Sequence, residues 1–217
     1  MAGQGSVKQT GIMMSTLPTP DELLAAARTG NTGQLGQLLD GYRHYLGLLA
    51  RIEIGQRLQA KLDASDLVQE TLLEAHRHFP GFQGTSEAQL TCWLRQIMAT
   101  SLANLLRRYY GTQGRDVRLE RELVTHLDQS SLLLDRGLVD QRSSPSHCAV
   151  RREQAVLLAE ALAKLPENYR EVLVLRHFEG LSFPEVGRRL GKSVDSVEKL
   201  WIRGLARVRQ LMGPVQE

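Results

Sequence analysis

The chain has 217 residues, 42% hydrophobic, 24% charged and only 5% aromatic, which suits one or two small helical domains better than a sheet protein. No apolar run reaches the ~18–20 residues of a membrane helix, the start lacks a signal-peptide core, and Cys92 and Cys148 lie too far apart for zinc spacing. The expectation is therefore a cytoplasmic protein with free thiols, no metal and no membrane association, whose net charge of +3 matters less than where its arginines cluster.

Residues 1–18 read as a disordered tail, with Met13 or Met14 as a candidate start. Order begins at "TPDE". Thr19 caps a helix, Pro20 takes its first position and Glu22 closes a capping box, with Gly30 as the stop. The helical run from Leu35 to Leu62 is interrupted by Gly41, Gly47 and Gly55, which predicts at least one break. "DASDLVQETLLEAHRHF" is cleaner. Asp63 caps it, and Leu67, Val68, Leu72, Ala75 and Phe79 form an apolar stripe. Asp66, Gln69, Glu70, Leu73 and Arg77 share the opposite face. "PGFQGTSE" (Pro80 to Glu87) is a loop. The long helix after it puts Leu90, Trp93, Leu94, Ile97 and Leu105 on its core side, and Gln96, Thr100, Asn104 and Arg107 along another stripe. At helical spacing Phe79 and Trp93 read as core rather than as stacking platforms, and Cys92 as a buried thiol.

From Gly111 to Val150 the periodicity weakens, and "QRSSPSH" has linker chemistry, so 113–150 is expected to be a flexible tether. Helical periodicity returns at "RREQAVLLAEALAKL". Pro166 opens another helix, which Gly180 ends. In the closing stretch Ser182 and Glu185 form a capping box, Val186 and Leu190 face inward, and Gly191 ends the helix. Ser193 caps the next helix at once, which is the geometry of a helix-turn-helix. Val194, Val197, Trp201, Leu205 and Val208 are expected to pack. Asp195, Ser196, Lys199 and Arg203 project outward, a set suited to phosphates and base edges. The predicted fold is all-α, with lobes at 19–112 and 151–213. His76 and His78 do not share a helix face, and no catalytic constellation emerges, so no enzyme is expected.

Together these stretches resemble the sigma factors of bacterial RNA polymerase, most of all the extracytoplasmic-function (ECF) group and, within it, forms common in Planctomycetes-type bacteria. "DASDLVQETLLEAHRHFPGF" is similar to the family's "DAEDLVQETFLRA" region, and "CWLRQIMATSLANLLRRY" to its "WLRxIAxNxxxDxxRR" helix. The stretch from Leu165 to Met212 is similar to its C-terminal promoter-reading domain. The resemblance implies core RNA polymerase and promoter DNA as partners, an anti-sigma factor or the chain's own extensions as inhibitor, a monomer when free, and no cofactor. It assigns Asp66, Gln69, Glu70 and Leu73 to the polymerase β′ clamp. It assigns Gln96, Thr100, Asn104, Arg107 and Arg108 to the melted −10 strand, with the Phe82–Glu87 loop beside a flipped base. Arg188, Arg189, Lys192, Ser193, Asp195, Ser196, Lys199 and Arg203 fall to the −35 duplex, and the same lobe to the polymerase β flap. The chain departs from the pattern at Glu198, Leu200 and Ile202, where relatives carry cations or His, and at Asn104, where an acid is usual. The rival readings are a dimeric helix-turn-helix regulator that works without replacing sigma, and a helical adaptor that never binds DNA.

Overall fold

The computed structural model describes residues 18–57, 62–110, 117–136 and 148–213. The expected tail up to residue 17, and residues 113–116 and 137–147 of the expected tether, lie outside the described residues. Among the described residues every regular element is helical, in agreement with the all-α expectation.

Local chemistry sets the helix ends. In α1 (Pro20–Arg28) the Thr19 hydroxyl accepts from Glu22 N–H at 3.3 Å, and the Glu22 carboxylate accepts from Thr19 N–H at 2.8 Å. α2 (Thr32–Gly41) is capped by Asn31, and Gly41 supplies the expected break before α3 (Arg43–Arg57). Gly47 and Gly55 are absorbed within α3. α4 (Ala64–His78) begins with Asp63 accepting from Ser65 N–H at 2.8 Å and buries Leu67, Val68, Thr71 and Ala75. After a 3₁₀ turn and a loop, α5 (Glu87–Tyr110) buries Leu90, Leu94, Met98 and Leu102. Trp93 packs edge-on to Phe79, which agrees with the core reading of both. Cys92 corrects its expectation. It lies two positions from both Leu90 and Leu94, on the opposite side of the helix from that buried stripe, so its thiol is exposed.

Within the stretch read as a tether, residues Val117–Arg136 form α6. Leu123, Leu127 and Leu134 are buried at roughly one-turn and two-turn steps, and α6 lies against α5 and α3. A buried polar cluster fixes it there. The Arg95 guanidinium donates to Asp128 Oδ1 at 2.7 Å, to the Tyr45 hydroxyl at 3.0 Å and to Ser131 Oγ at 3.3 Å. Tyr45 and Ser131 share a further hydrogen bond of 2.9 Å. Arg95 is 7% exposed, so each of these partners replaces water that the charge has lost.

The relative placement of the lobes comes from α7 (Cys148–Ala163). It packs on α6 and α3 at one side and on α10 (Val194–Met212) at the other. One continuous core therefore runs from Leu24 through Leu158 and Leu162 to Leu173 and Val208. α8 (Glu167–Leu173) follows with Pro166 as its N-cap, and a π-helical turn, Val174–Phe178, extends it. That turn divides its side chains: Val174 and Phe178 join the large core, while Leu175 joins a small one with Val172, Val186 and Val197. An ion pair of 2.5 Å between Arg51 and Glu171 also spans the junction of the lobes.

Replacing Arg95 by Leu removes the anchor of α6 and leaves the Tyr45 and Ser131 hydroxyls short of partners. It is expected to cost about 2–4 kcal/mol, read as a lower urea midpoint by circular dichroism. Faster proteolysis within 117–136 is expected to accompany it.

Candidate functional surfaces

The helix-turn-helix is built from α9 (Phe183–Leu190) and α10. Glu185 accepts from Ser182 N–H at 2.7 Å and from its hydroxyl at 2.5 Å, which holds the Glu185 carboxyl below its ordinary value. Gly191 closes α9 at φ 63°, and Ser193 Oγ accepts from Ser196 N–H at 3.3 Å to open α10. The turn is tight because Gly187 has no side chain. A Cβ there would stand 2.8 Å from the Lys192 carbonyl oxygen, closer than packing allows. Gly204 plays a similar part where α10 crosses α8, with an added Cβ 3.3 Å from Leu173 Cγ.

Trp201 fills the angle between α8, α9 and α10. Its ring meets Phe183 edge-on, at 5.5 Å between centroids, and stacks on His177. Its indole N–H donates to His177 Nε2 at 2.8 Å, so that nitrogen must be unprotonated. Burial and the neighbouring Arg176 hold the imidazole below its ordinary pKa.

Of the residues expected to face DNA here, Arg188, Arg189, Lys192, Ser193, Asp195, Lys199 and Arg203 are exposed, and Ser196 is half-buried. Lys199 pairs with Asp195 at 2.8 Å and Arg189 with Glu179 at 3.3 Å. Val194 corrects its expectation. As the first residue of α10 it sits clear of the inter-helix seam and is 40% exposed.

The α4 stripe stands open along one flank. Asp66 and Gln69 are exposed, Glu70 is half-buried, and Leu73 is 50% exposed despite its apolar side chain. On α5, Gln96 and Thr100 are exposed. Asn104 and Arg107 are half-buried and bonded to each other, and Arg107 also faces Glu120 of α6 at 3.9 Å. Arg108, exposed, lies 3.9 Å from Glu70 and so links the two stripes.

The loop between α4 and α5 is held from several sides. Arg28 Nη1 donates to the Gly84 carbonyl at 3.0 Å, Gln89 Oε1 accepts from Thr85 N–H at 2.7 Å, and the Tyr42 hydroxyl donates to Glu87 at 3.1 Å. Burial and the Glu87 carboxylate raise the Tyr42 pKa, which keeps that hydroxyl a donor. The Phe82 ring lies against Trp93, at 4.9 Å between centroids. Arg28, His76, Phe79, Phe82 and Gln83 also border a cleft of about 410 Å³ at this loop. Sequence reading missed Arg28 and Gln89. The only signal was polarity in short elements, because the loop they brace is distant from Arg28 in the chain.

Two family models match this chain and together cover more than half of it: "Sigma-70 region 2" over residues 42–112 and "Sigma-70, region 4" over residues 155–208. Among curated proteins it is similar to the RNA polymerase sigma-H factor of Pseudomonas aeruginosa, 26% identical over 93% of this chain and 98% of that one. It is similar to the ECF RNA polymerase sigma factor SigM of Mycobacterium tuberculosis, 26% identical over 88% and 84%. It is also similar to the RNA polymerase sigma factor CnrH of Cupriavidus metallidurans, 28% identical over 88% and 94%. Among solved structures, CnrH in complex with the cytosolic domain of CnrY matches over 89% of this chain and 96% of that one, with 26% identity and a TM-score of 0.34.

Gly187→Val is expected to destabilise the C-terminal lobe by about 2 kcal/mol, seen as an early unfolding phase in urea that Trp201 fluorescence follows. A second expectation concerns pH. The folded state holds His177 below the ordinary value of 6.5, so the unfolded state binds the proton more readily in that window. Stability of this lobe is complete above about pH 6.5 and declines as pH falls toward the depressed folded value. His177→Gln keeps an acceptor for Trp201 without titrating there, and is expected to flatten that part of a plot of Tm against pH.

Proposed function

Because this chain belongs to the sigma-70 family, as an ECF sigma factor that directs transcription initiation, we propose that its three exposed stripes divide the work of promoter recognition. In this reading α4 docks on the β′ clamp of core RNA polymerase through Asp66, Gln69, Glu70 and Leu73. α5 and the Phe82–Glu87 loop take the melted −10 strand. α10 enters the −35 duplex, and its lobe rests on the β flap. The working units are 19–112 and 151–213.

The observation that supports this reading is that each of the three stripes has exposed members on a helix whose opposite face is buried. Leu73 is an apolar side chain standing in water within a polar stripe. Covering it contributes roughly 1–2 kcal/mol to docking, while Gln69 and Asp66 set orientation. On α5, Gln96 and Thr100 offer base-edge groups, and Arg107 and Arg108 offer charge for phosphates. Arg107 meets Glu120 here, so a phosphate that replaces that carboxylate keeps the guanidinium paired. The braces from Arg28 and Gln89 keep the loop in one shape, which reduces the ordering cost when it receives a flipped base.

An anti-sigma factor as inhibitor, a monomer when free, action in the cytoplasm, and likeness to forms common in Planctomycetes-type bacteria belong to this proposal on the family resemblance alone. The test mixes the purified chain with core polymerase and a promoter library. A sigma factor yields start-site-specific transcripts. A dimeric regulator binds duplex DNA without polymerase, and an adaptor yields neither result.

Leu73→Asp is expected to weaken core binding by about tenfold or more, measured by competition for core polymerase, because it places a charge on the docking face. Arg203→Ala is expected to lower the slope of log K against log salt for −35 DNA by about one, the signature of one lost phosphate contact.

A further inference from the structure

The outermost line of the recognition helix carries little net positive charge. At 3.6 residues per turn, the positions opposite the buried Val197, Gly204 and Val208 are Asp195, Lys199, Ile202 and Ala206, with Glu198 on the flank beside Ile202. The charge of Lys199 is offset by Asp195 at 2.8 Å. Glu198 is exposed and makes no ion pair among the described residues. Ile202 is 59% exposed, the most exposed large apolar side chain of the described residues. The other cations stand around this line: Arg188 and Arg189 at the end of α9, Lys192 in the turn, and Arg203 and Arg207 on the side of α10.

Resting on the reading of α10 as the −35 helix, we infer that Glu198 and Ile202 are its base-reading residues: Glu198 selects cytosine, Ile202 selects thymine, and the surrounding cations hold phosphates. A carboxylate only accepts hydrogen bonds. In the major groove guanine presents two acceptors and thymine a carbonyl, which repel it. The groove donors are the amino groups of cytosine and adenine. Adenine places N7, an acceptor, beside its amino group and so opposes the second carboxylate oxygen, whereas the neighbour of the cytosine amino group is a C–H. Cytosine is therefore the base a free carboxylate accepts. Ile202 has no polar atom to offer, and the apolar feature of the groove is the thymine methyl group.

Glu198 and Ile202 are one turn apart, about 6 Å along the axis. The two selected bases are thus expected within about two base pairs of each other, given the ~3.4 Å rise per base pair. Phosphate contacts carry no sequence information directly, so the ring of arginines supplies affinity and register without competing with this readout.

The experiment uses holoenzyme assembled from the full chain and core polymerase, with selection of transcribing promoters from a pool randomised across the upstream duplex. Wild type is expected to enrich a cytosine and a nearby thymine. Glu198→Arg, on an exposed position, is expected to change the enriched base at that one site from cytosine to guanine, whose O6 and N7 an arginine reads. On the enriched promoter, deoxyuridine in place of the thymine removes only a methyl group. It is expected to lower wild-type transcription several-fold and to leave Ile202→Ala, already weakened, unchanged. Absence of the cytosine, its persistence with Glu198→Arg, or a wild-type protein indifferent to deoxyuridine each overturns the inference while the sigma-factor reading stands. Absence of any promoter-specific transcript from wild type overturns that reading, and this inference with it.

Discussion

The arrangement of this molecule depends on one buried charge. Arg95 lies inside the N-terminal bundle, and a guanidinium cannot be neutralised by losing its proton. It must find acceptors, and two of the residues it reaches, Asp128 and Ser131, belong to α6. That requirement draws a helix out of the stretch between the lobes and fixes it on the bundle. α7 then packs on α6 and α3, and α8 and α10 pack in turn. The placement of the DNA-reading lobe follows from the partners of a side chain far from it.

Charge is distributed according to the task each surface performs. Cations border α10, and its outer face carries Asp195, Lys199 and the exposed Ile202, with Glu198 on the flank. Under the proposed reading this separates affinity from selection, since phosphate neutralisation responds to salt and base contacts respond to sequence. On α4 the logic is different. An exposed leucine among polar groups offers a modest apolar gain in a stripe whose polar members can set register, which suits the docking proposed for this surface.

Rigidity is concentrated where geometry decides the outcome. Gly187 against the Lys192 carbonyl and Gly204 against Leu173 let three helices approach closely, and Trp201 locks them through a neutral His177. The loop before α5 is braced by Arg28, Gln89 and the Tyr42–Glu87 pair. Both sites thus present a preformed shape, and less binding free energy is lost to ordering.

Local chemistry is legible in the chain itself. The capping residues Thr19, Asp63, Ser182 and Ser193, the stop at Gly191, and the stripes of α4 and α5 depend on neighbours within a few residues, so their spacing determines them. Three features depend on distant partners and were not readable. α6 has a mixed pattern because its inward face holds Ser130 and Ser131 as well as leucines, with Asp128 at its edge, and those polar residues fit there only because Tyr45, Glu53 and Arg95 await them. Val194 and Cys92 have core-like residue types, but their positions at a helix start and beside a buried stripe leave them in water. The sequence by itself determined the helices other than α6, those caps and the family. Only the tertiary structure decided how the lobes meet and that Arg107 faces Glu120, because each is set by contacts between residues on different helices.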